Sequence, residues 1–154
     1  MTSKQFLIPV DSSTNSLRAF EHYLQWIHEQ TDSVILLHVF ELETPDNLIQ
    51  DGPSNVEDMK QHVQEQKEKA AKLLKFYEKL CKPHGITTSV LLEWDQCPGA
   101  CIVRVAERNN VDHIVMGARG TNTIRRTPLG SVCKYVLHHA HSTVTVVPLH
   151  DDVY

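Results

Sequence analysis

No stretch of this 154-residue chain is apolar over the roughly 20 residues that a bilayer-spanning helix requires. The opening MTSKQFLIPVDSS has only a short apolar run before Asp11, which predicts no secretory signal peptide. Cysteines are few. Cys81, Cys97, Cys101 and Cys133 lack the dense spacing of a disulfide scaffold, which points to free thiols in a reducing, cytoplasmic setting. No GxxxxGK[ST] is present, so a Walker-type phosphate loop is excluded. No GxGxxG follows the first apolar run, so the dinucleotide fingerprint is missing too. Internal repeats and low-complexity tracts are absent.

What is present suits one globular domain over 1–154. The length allows a sizeable core, and 41% hydrophobic with 22% charged residues is ordinary for a folded chain. A formal net charge of −4 argues against nucleic acid or an anionic membrane as a partner. The charge is uneven, however. Residues 41–59 carry Glu41, Glu43, Asp46, Asp51, Glu57 and Asp58 and no Lys or Arg. Residues 117–134 carry Arg119, Arg125, Arg126 and Lys134 and no carboxylate. The second region can attract an anion, or it can be a solvated loop.

Five short runs rich in Val, Ile and Leu predict strands at 6–10, 33–40, 87–92, 113–116 and 143–147. Most are continuous rather than alternating, as strands buried on both faces of a parallel sheet are. Between them lie helical patterns. Leu17, Phe20, Leu24 and Ile27 form a stripe within 14–30, which Ser13 or Thr14 can cap. A longer pattern covers 56–82, with Glu65–Lys69 and Glu68–Lys72 expected as pairs on its wet face and with Pro83 and Gly85 as its stop. Two more helices are predicted at 99–109 and 130–140. The order β-α-β-α-β-α-β-α-β gives an α/β fold, an open five-stranded parallel sheet with helices on both faces. The segment 41–55, with two prolines and a glycine, reads as a mobile loop.

In such a sheet, ligands bind at the carboxyl ends of strands where the strand order reverses. Asp11 stands just past the first strand and Gly117 just past the fourth, and neighbouring strands would bring them to one crevice. Three of the six glycines fall in MGARGTNTIRRTPLGSV, residues 116–132. Gly117 and Gly120 lack a Cβ, so their backbone can approach a phosphate and adopt positive φ. Gly130 and Ser131 open the last helix, whose free N–H groups favour an anion. Arg119, Arg125 or Arg126 can add charge-assisted bonds, and Arg119 is the nearest to the glycines.

The spacing G-x2-G-x9-G-S, formed by Gly117, Gly120, Gly130 and Ser131, resembles the ATP-binding signature of the universal stress protein family. The resemblance runs along nearly the whole chain, through IPVDSSTNSLRAFEHYLQW, SVILLHVFE, VLLEWDQCPGACIVRVAERNNVDHIVMGARG and LGSVCKYVLHHAHSTVTVVP. Ser12 stands where that family commonly has glycine, and Pro128 lies inside the spacer. The resemblance implies a Rossmann-like sheet of the adenine nucleotide alpha hydrolase-like kind, with strand order 3-2-1-4-5. It implies that Asp11 holds the adenine or ribose end, that Pro9 and Val10 line the base site, and that Val39 packs on adenine. Met116 and Gly117 would lie near the ribose. Gly120, Gly130, Ser131 and Val132 would surround the phosphates. The implied cofactor is ATP, or AMP or ADP, with Mg²⁺ as an optional companion. The implied partner is a second copy, paired through the last strand at 143–148, which would otherwise be an exposed edge.

Other residues carry less. Of the ten histidines, His138 and His141 alone of the HHAH cluster can share a helix face, and no zinc site is expected. Cys97 and Cys101 flank a helix start, where a thiol pKa can fall or a buried thiol can simply pack. Trp26 and Trp94 are expected to pack. Three functions fit: an ATP-binding regulatory stress protein, a slow Mg²⁺-dependent ATP hydrolase using Asp11 or Asp95, and a dimerisation module without nucleotide. Neither aspartate has a recognisable base beside it, and HxGH, the motif of related nucleotidyl-transferring folds, is absent. A binding protein without catalytic residues is therefore the expectation.

Overall fold

The computed structural model describes residues 2–41, 55–119 and 129–148. Five parallel strands form one sheet: β1 (Gln5–Pro9), β2 (Ser33–Phe40), β3 (Thr87–Trp94), β4 (His113–Gly117) and β5 (Thr143–Val147). Their order is β3-β2-β1-β4-β5, so the strand order reverses between β1 and β4. Phe6 pairs with His113 and Leu7 with Ile114 at that junction, while Pro9 pairs with Leu37 on the other side of β1.

Four helices cover the two faces. On one, α1 (Thr14–His22) and α2 (Asn55–Cys81) pack over Phe6, Ile8, Val34, Leu36 and Val115 through Phe20, Leu74 and Tyr77. On the other, α3 (Pro98–Arg108) and α4 (Ser131–His139) pack over Leu7, Ile35, Leu37, Ile114 and Met116 through Ile102, Val105, Cys133 and Val136. The continuous apolar runs of the central strands follow directly, because successive side chains enter opposite cores. Gly99 is where α3 meets α4, since an added Cβ would stand 2.8 Å from the Tyr135 Cβ.

Local chemistry sets the helix ends. Ser13 caps α1, its hydroxyl accepting from the Ser16 N–H at 3.2 Å. The predicted single helix 14–30 instead changes pitch. Tyr23–Ile27 forms a π-helical turn, closed by the His28 N–H donating to the Tyr23 carbonyl at 2.8 Å, and the helix ends there. Helix α2 gives way to a 3₁₀ turn, Lys82–His84, and stops at Gly85, whose φ of +64° is the left-handed conformation glycine accepts without strain. The expected Glu65–Lys69 and Glu68–Lys72 pairs do not form. Glu65 and Glu68 accept from Gln61 and Gln64 on the preceding turn instead, at 3.5 and 3.4 Å. The predicted loop at 41–55 falls almost wholly outside the described residues.

Candidate functional site

The crevice between β1 and β4 is built from the start of α1. Asp11 Oδ1 accepts from the Ser13 N–H at 2.8 Å and from the Ser13 hydroxyl, an Asx turn that leads into the helix. Its other oxygen, Oδ2, takes part in no hydrogen bond among the described residues. The Asp11 N–H donates to Ser16 Oγ at 3.0 Å, and that hydroxyl lies 3.1 Å from the buried Tyr77 hydroxyl. Burial pushes the Tyr77 phenol up, which keeps it a neutral hydrogen-bonding group near pH 7. Asp11 is thus oriented from both of its neighbouring turns and from α2.

Two residues outside the predicted set complete this side. His38 Nδ1 lies 2.7 Å from the Val10 carbonyl, tying the end of β2 to the residue before Asp11. Asn15 seats on the end of β4: a Cβ at Gly117 would stand 3.0 Å from the Asn15 carbonyl oxygen. The first turn of α1 therefore crosses β4 at a distance only glycine permits. Neither residue is legible in the chain. One histidine among ten carries no mark, and Asn15 acts through its backbone. Of the two cap candidates, Ser13 and Thr14, it is Ser13 that caps α1.

On the other side of the crevice, the chain leaves β4 through Ala118 and re-enters the described region at Leu129. The Gly130 N–H donates to the Ala118 carbonyl at 2.7 Å, so the start of α4 is held against the end of β4. Gly130 is the residue before α4, and among the described residues no side chain caps that helix. The first N–H groups of α4 accordingly lack intrahelical acceptors. Arg119 is buried, 6% exposed, against Gly130, where an added Cβ would meet its Cγ at 3.7 Å.

Of the eleven residues expected at a ligand, the ten that the structure describes fall into three groups. Asp11, Gly117, Arg119, Gly130 and Ser131 surround the β1–β4 crevice or open α4 beside it. Pro9 and Val39 turn their half-buried side chains to the α3/α4 face, the face on which α4 begins. Val10, Met116 and Val132 put their side chains into the cores or against them. Gly120 lies outside the described residues, as do Arg125, Arg126, Thr127 and Pro128. The positive φ expected at Gly117 does not occur; its glycine answers to Asn15.

Several secondary candidates are settled by placement. Asp95 accepts from Arg104 at 2.5 Å and from the Cys97 N–H at 2.8 Å, and these bonds hold its carboxyl below the usual carboxylate range. It sits at the end of β3, the sheet edge, two strands from β1. Cys101 is buried, and burial pushes its thiol up rather than down. Trp26 and Trp94 were expected to pack, but they are 71% and 51% exposed. Among the described residues no cluster of His, Cys, Asp or Glu can hold a metal ion. No helix of the described residues is long and apolar enough to cross a membrane.

Comparison with known proteins returns one family. The model of the universal stress protein family matches residues 2–148. The chain belongs to the universal stress protein family. It is 31% identical over 146 residues to universal stress protein MJ0531 of Methanocaldococcus jannaschii, spanning 94% of this chain and 81% of that protein. The solved structure of hypothetical protein MJ0577 superposes with a TM-score of 0.79 at 26% identity, over 96% of each chain. A universal stress protein family protein from Arabidopsis thaliana, solved with AMP bound, superposes with a TM-score of 0.67 at 22% identity, over 97% of this chain and 94% of that one. The universal stress fold thus extends across the described strands.

Proposed function

We propose that this universal stress protein is a regulatory protein that binds an adenine nucleotide, ATP in the first place, in the β1–β4 crevice. The observation that carries the reading is Gly130. Its φ of −73° is open to any residue, and an added Cβ would meet nothing closer than 3.4 Å. The fold alone therefore does not demand glycine there. A Ser, Thr, Asp or Asn at this position would cap α4 and occupy its free N–H groups. Glycine leaves those groups open and lets a phosphate approach them. Arg119 beside it supplies positive charge.

In this reading Gly117, Gly120, Gly130, Ser131 and Val132 hold the phosphates, largely through backbone N–H groups and the Ser131 hydroxyl. Pro9, Val10 and Val39 flank the base, Met116 contributes its backbone near the ribose, and Asp11 offers Oδ2 to a ribose or adenine donor. The AMP carried by the Arabidopsis protein supports the choice of an adenine nucleotide. Mg²⁺ would accompany the phosphates as a ligand of the nucleotide. Hydrolysis is disfavoured, because Asp95 is committed to Arg104 and Asp11 Oδ2 is assigned to the nucleotide, so neither strand-end aspartate is left as a base for water. We further place the protein in the cytoplasm, where its four free thiols would persist.

Calorimetric titration of nucleotide-stripped protein with ATP, ADP and AMP, with and without Mg²⁺, tests the reading beside Gly130→Val. At least a tenfold weaker ATP affinity, about 1.4 kcal/mol, is expected in the variant with its circular dichroism unchanged. Equal affinity in both proteins would remove the phosphate cradle from α4.

A further inference from the structure

The β1–β2 ladder ends at Pro9 and Leu37, although both chains run on. The Val10 N–H still donates to the Leu37 carbonyl at 2.8 Å. In a parallel pair the next bond would run from the Val39 N–H to the Val10 carbonyl. That bond is not made. The Val10 carbonyl takes the His38 imidazole instead, 2.7 Å from Nδ1. A carbonyl only accepts, so Nδ1 carries the proton. The Asp11 N–H has also turned out of the sheet, to Ser16 Oγ at 3.0 Å.

Peptide groups alternate in direction along β2. Leu37 accepts from the β1 side, and Phe40 accepts from the Asp95 N–H on the β3 side at 3.3 Å. Val39 therefore turns its N–H and C=O toward β1, where the ladder has ended, and neither group has a partner among the described residues. An open donor and an open acceptor thus stand at the strand end, beside Pro9 and Asp11. The imidazole acts from behind them. Leu36, two residues before His38, enters the α1/α2 core, so His38 stands on that face, whereas the Val39 side chain lies on the α3/α4 face.

We infer that His38 is a positioning residue of the nucleotide site: by holding the Val10 carbonyl, it keeps the peptide edge of Val39 open to the base. The inference rests on the adenine-nucleotide reading given above. Without the imidazole, the carbonyl of the buried Val10 would lack a donor, and the Val39 N–H is the nearest replacement in the ladder. The strands would then close by one bond across the place where the base enters. The same imidazole bond fixes the peptide between Val10 and Asp11, whose N–H is anchored on Ser16. A tie that served the fold alone predicts the opposite at Val39. Its loss would loosen the strand end and speed amide exchange there.

Two variants separate these roles. His38→Leu removes the donor, and His38→Asn offers a side-chain N–H where Nδ1–H stands. Calorimetric titration with ATP should show at least tenfold weaker binding in the leucine variant. The asparagine variant should recover most of that loss. Amide exchange followed by NMR should be fast at Val39 in ligand-free wild type and at least tenfold slower in His38→Leu. In wild-type protein at alkaline pH, nitrogen-15 spectra should show the His38 ring protonated at Nδ1, a test that needs no variant. Unchanged ATP affinity in His38→Leu overturns the proposal, as does an asparagine variant no better than leucine. Faster or unchanged exchange at Val39 in His38→Leu overturns it, and so does a His38 ring protonated at Nε2 alone. A wild type that binds no nucleotide removes the nucleotide reading. The exchange at Val39 then still decides whether His38 holds the strand end open.

Discussion

Two glycines of one motif do different work at the residue scale. Gly117→Ala would force its Cβ to 3.0 Å from the Asn15 carbonyl, a backbone atom that cannot turn aside. It should cost about 1–3 kcal/mol in urea unfolding. Gly130→Ala meets only ordinary contacts and should stay within about 1 kcal/mol of wild type, the scale of a lost glycine cap. If the two variants lose stability equally, the distinction between packing and ligand access fails. The spacing of these glycines was legible in the sequence, but the reason for Gly117 was not. It depends on a helix 102 residues earlier in the chain, which no local pattern records. Thiol chemistry is equally residue-specific. Burial pushes Cys81, Cys101 and Cys133 up and hides them, while Cys97 is exposed. Ellman's reagent should titrate one thiol in folded protein and four in denaturant.

Elements were legible where their pattern was long. The apolar runs predicted all five strands to within two residues, most plainly for β1, β2 and β4, whose central residues are buried on both faces. The surface of α2 was not legible, since Glu65 and Glu68 had two partners at equal helical spacing and the glutamines took them. Nor did the stripe of α1 betray its π turn, because Leu24 and Ile27 remain half-buried in either pitch. Between β4 and β5, His113 Nε2 lies 2.6 Å from Thr145 Oγ1, and the ring stacks on Phe6. Burial, and secondarily Lys4, holds its pKa below 6.5. The unfolded chain then binds the proton more readily. The stabilising effect is complete above pH 6.5 and is lost as pH falls through the folded value. His113→Gln should flatten the fall in Tm between pH 7.5 and 5. An unchanged slope would show that His113 does not govern it.

At the scale of the whole molecule, the order 3-2-1-4-5 followed from the family resemblance, whereas alternation alone gave only a parallel sheet. Among the described residues no strand pairs with the outer side of β5, and Val144 and Val146 are half-buried. We propose that a second copy covers that side. The apparent Tm should then rise with protein concentration, and sedimentation should show a dimer at micromolar levels. A concentration-independent monomer would remove that pairing. The seat of Asn15 on Gly117 has one more consequence, for folding. It joins the first helix to the fourth strand, a contact of long sequence separation that closes late as a chain assembles. An intermediate holding only β1–β3 would have Asp11 and its serines in place but no opposite wall. Nucleotide would therefore reward only completed chains, and its presence should slow unfolding without speeding the earliest steps of folding.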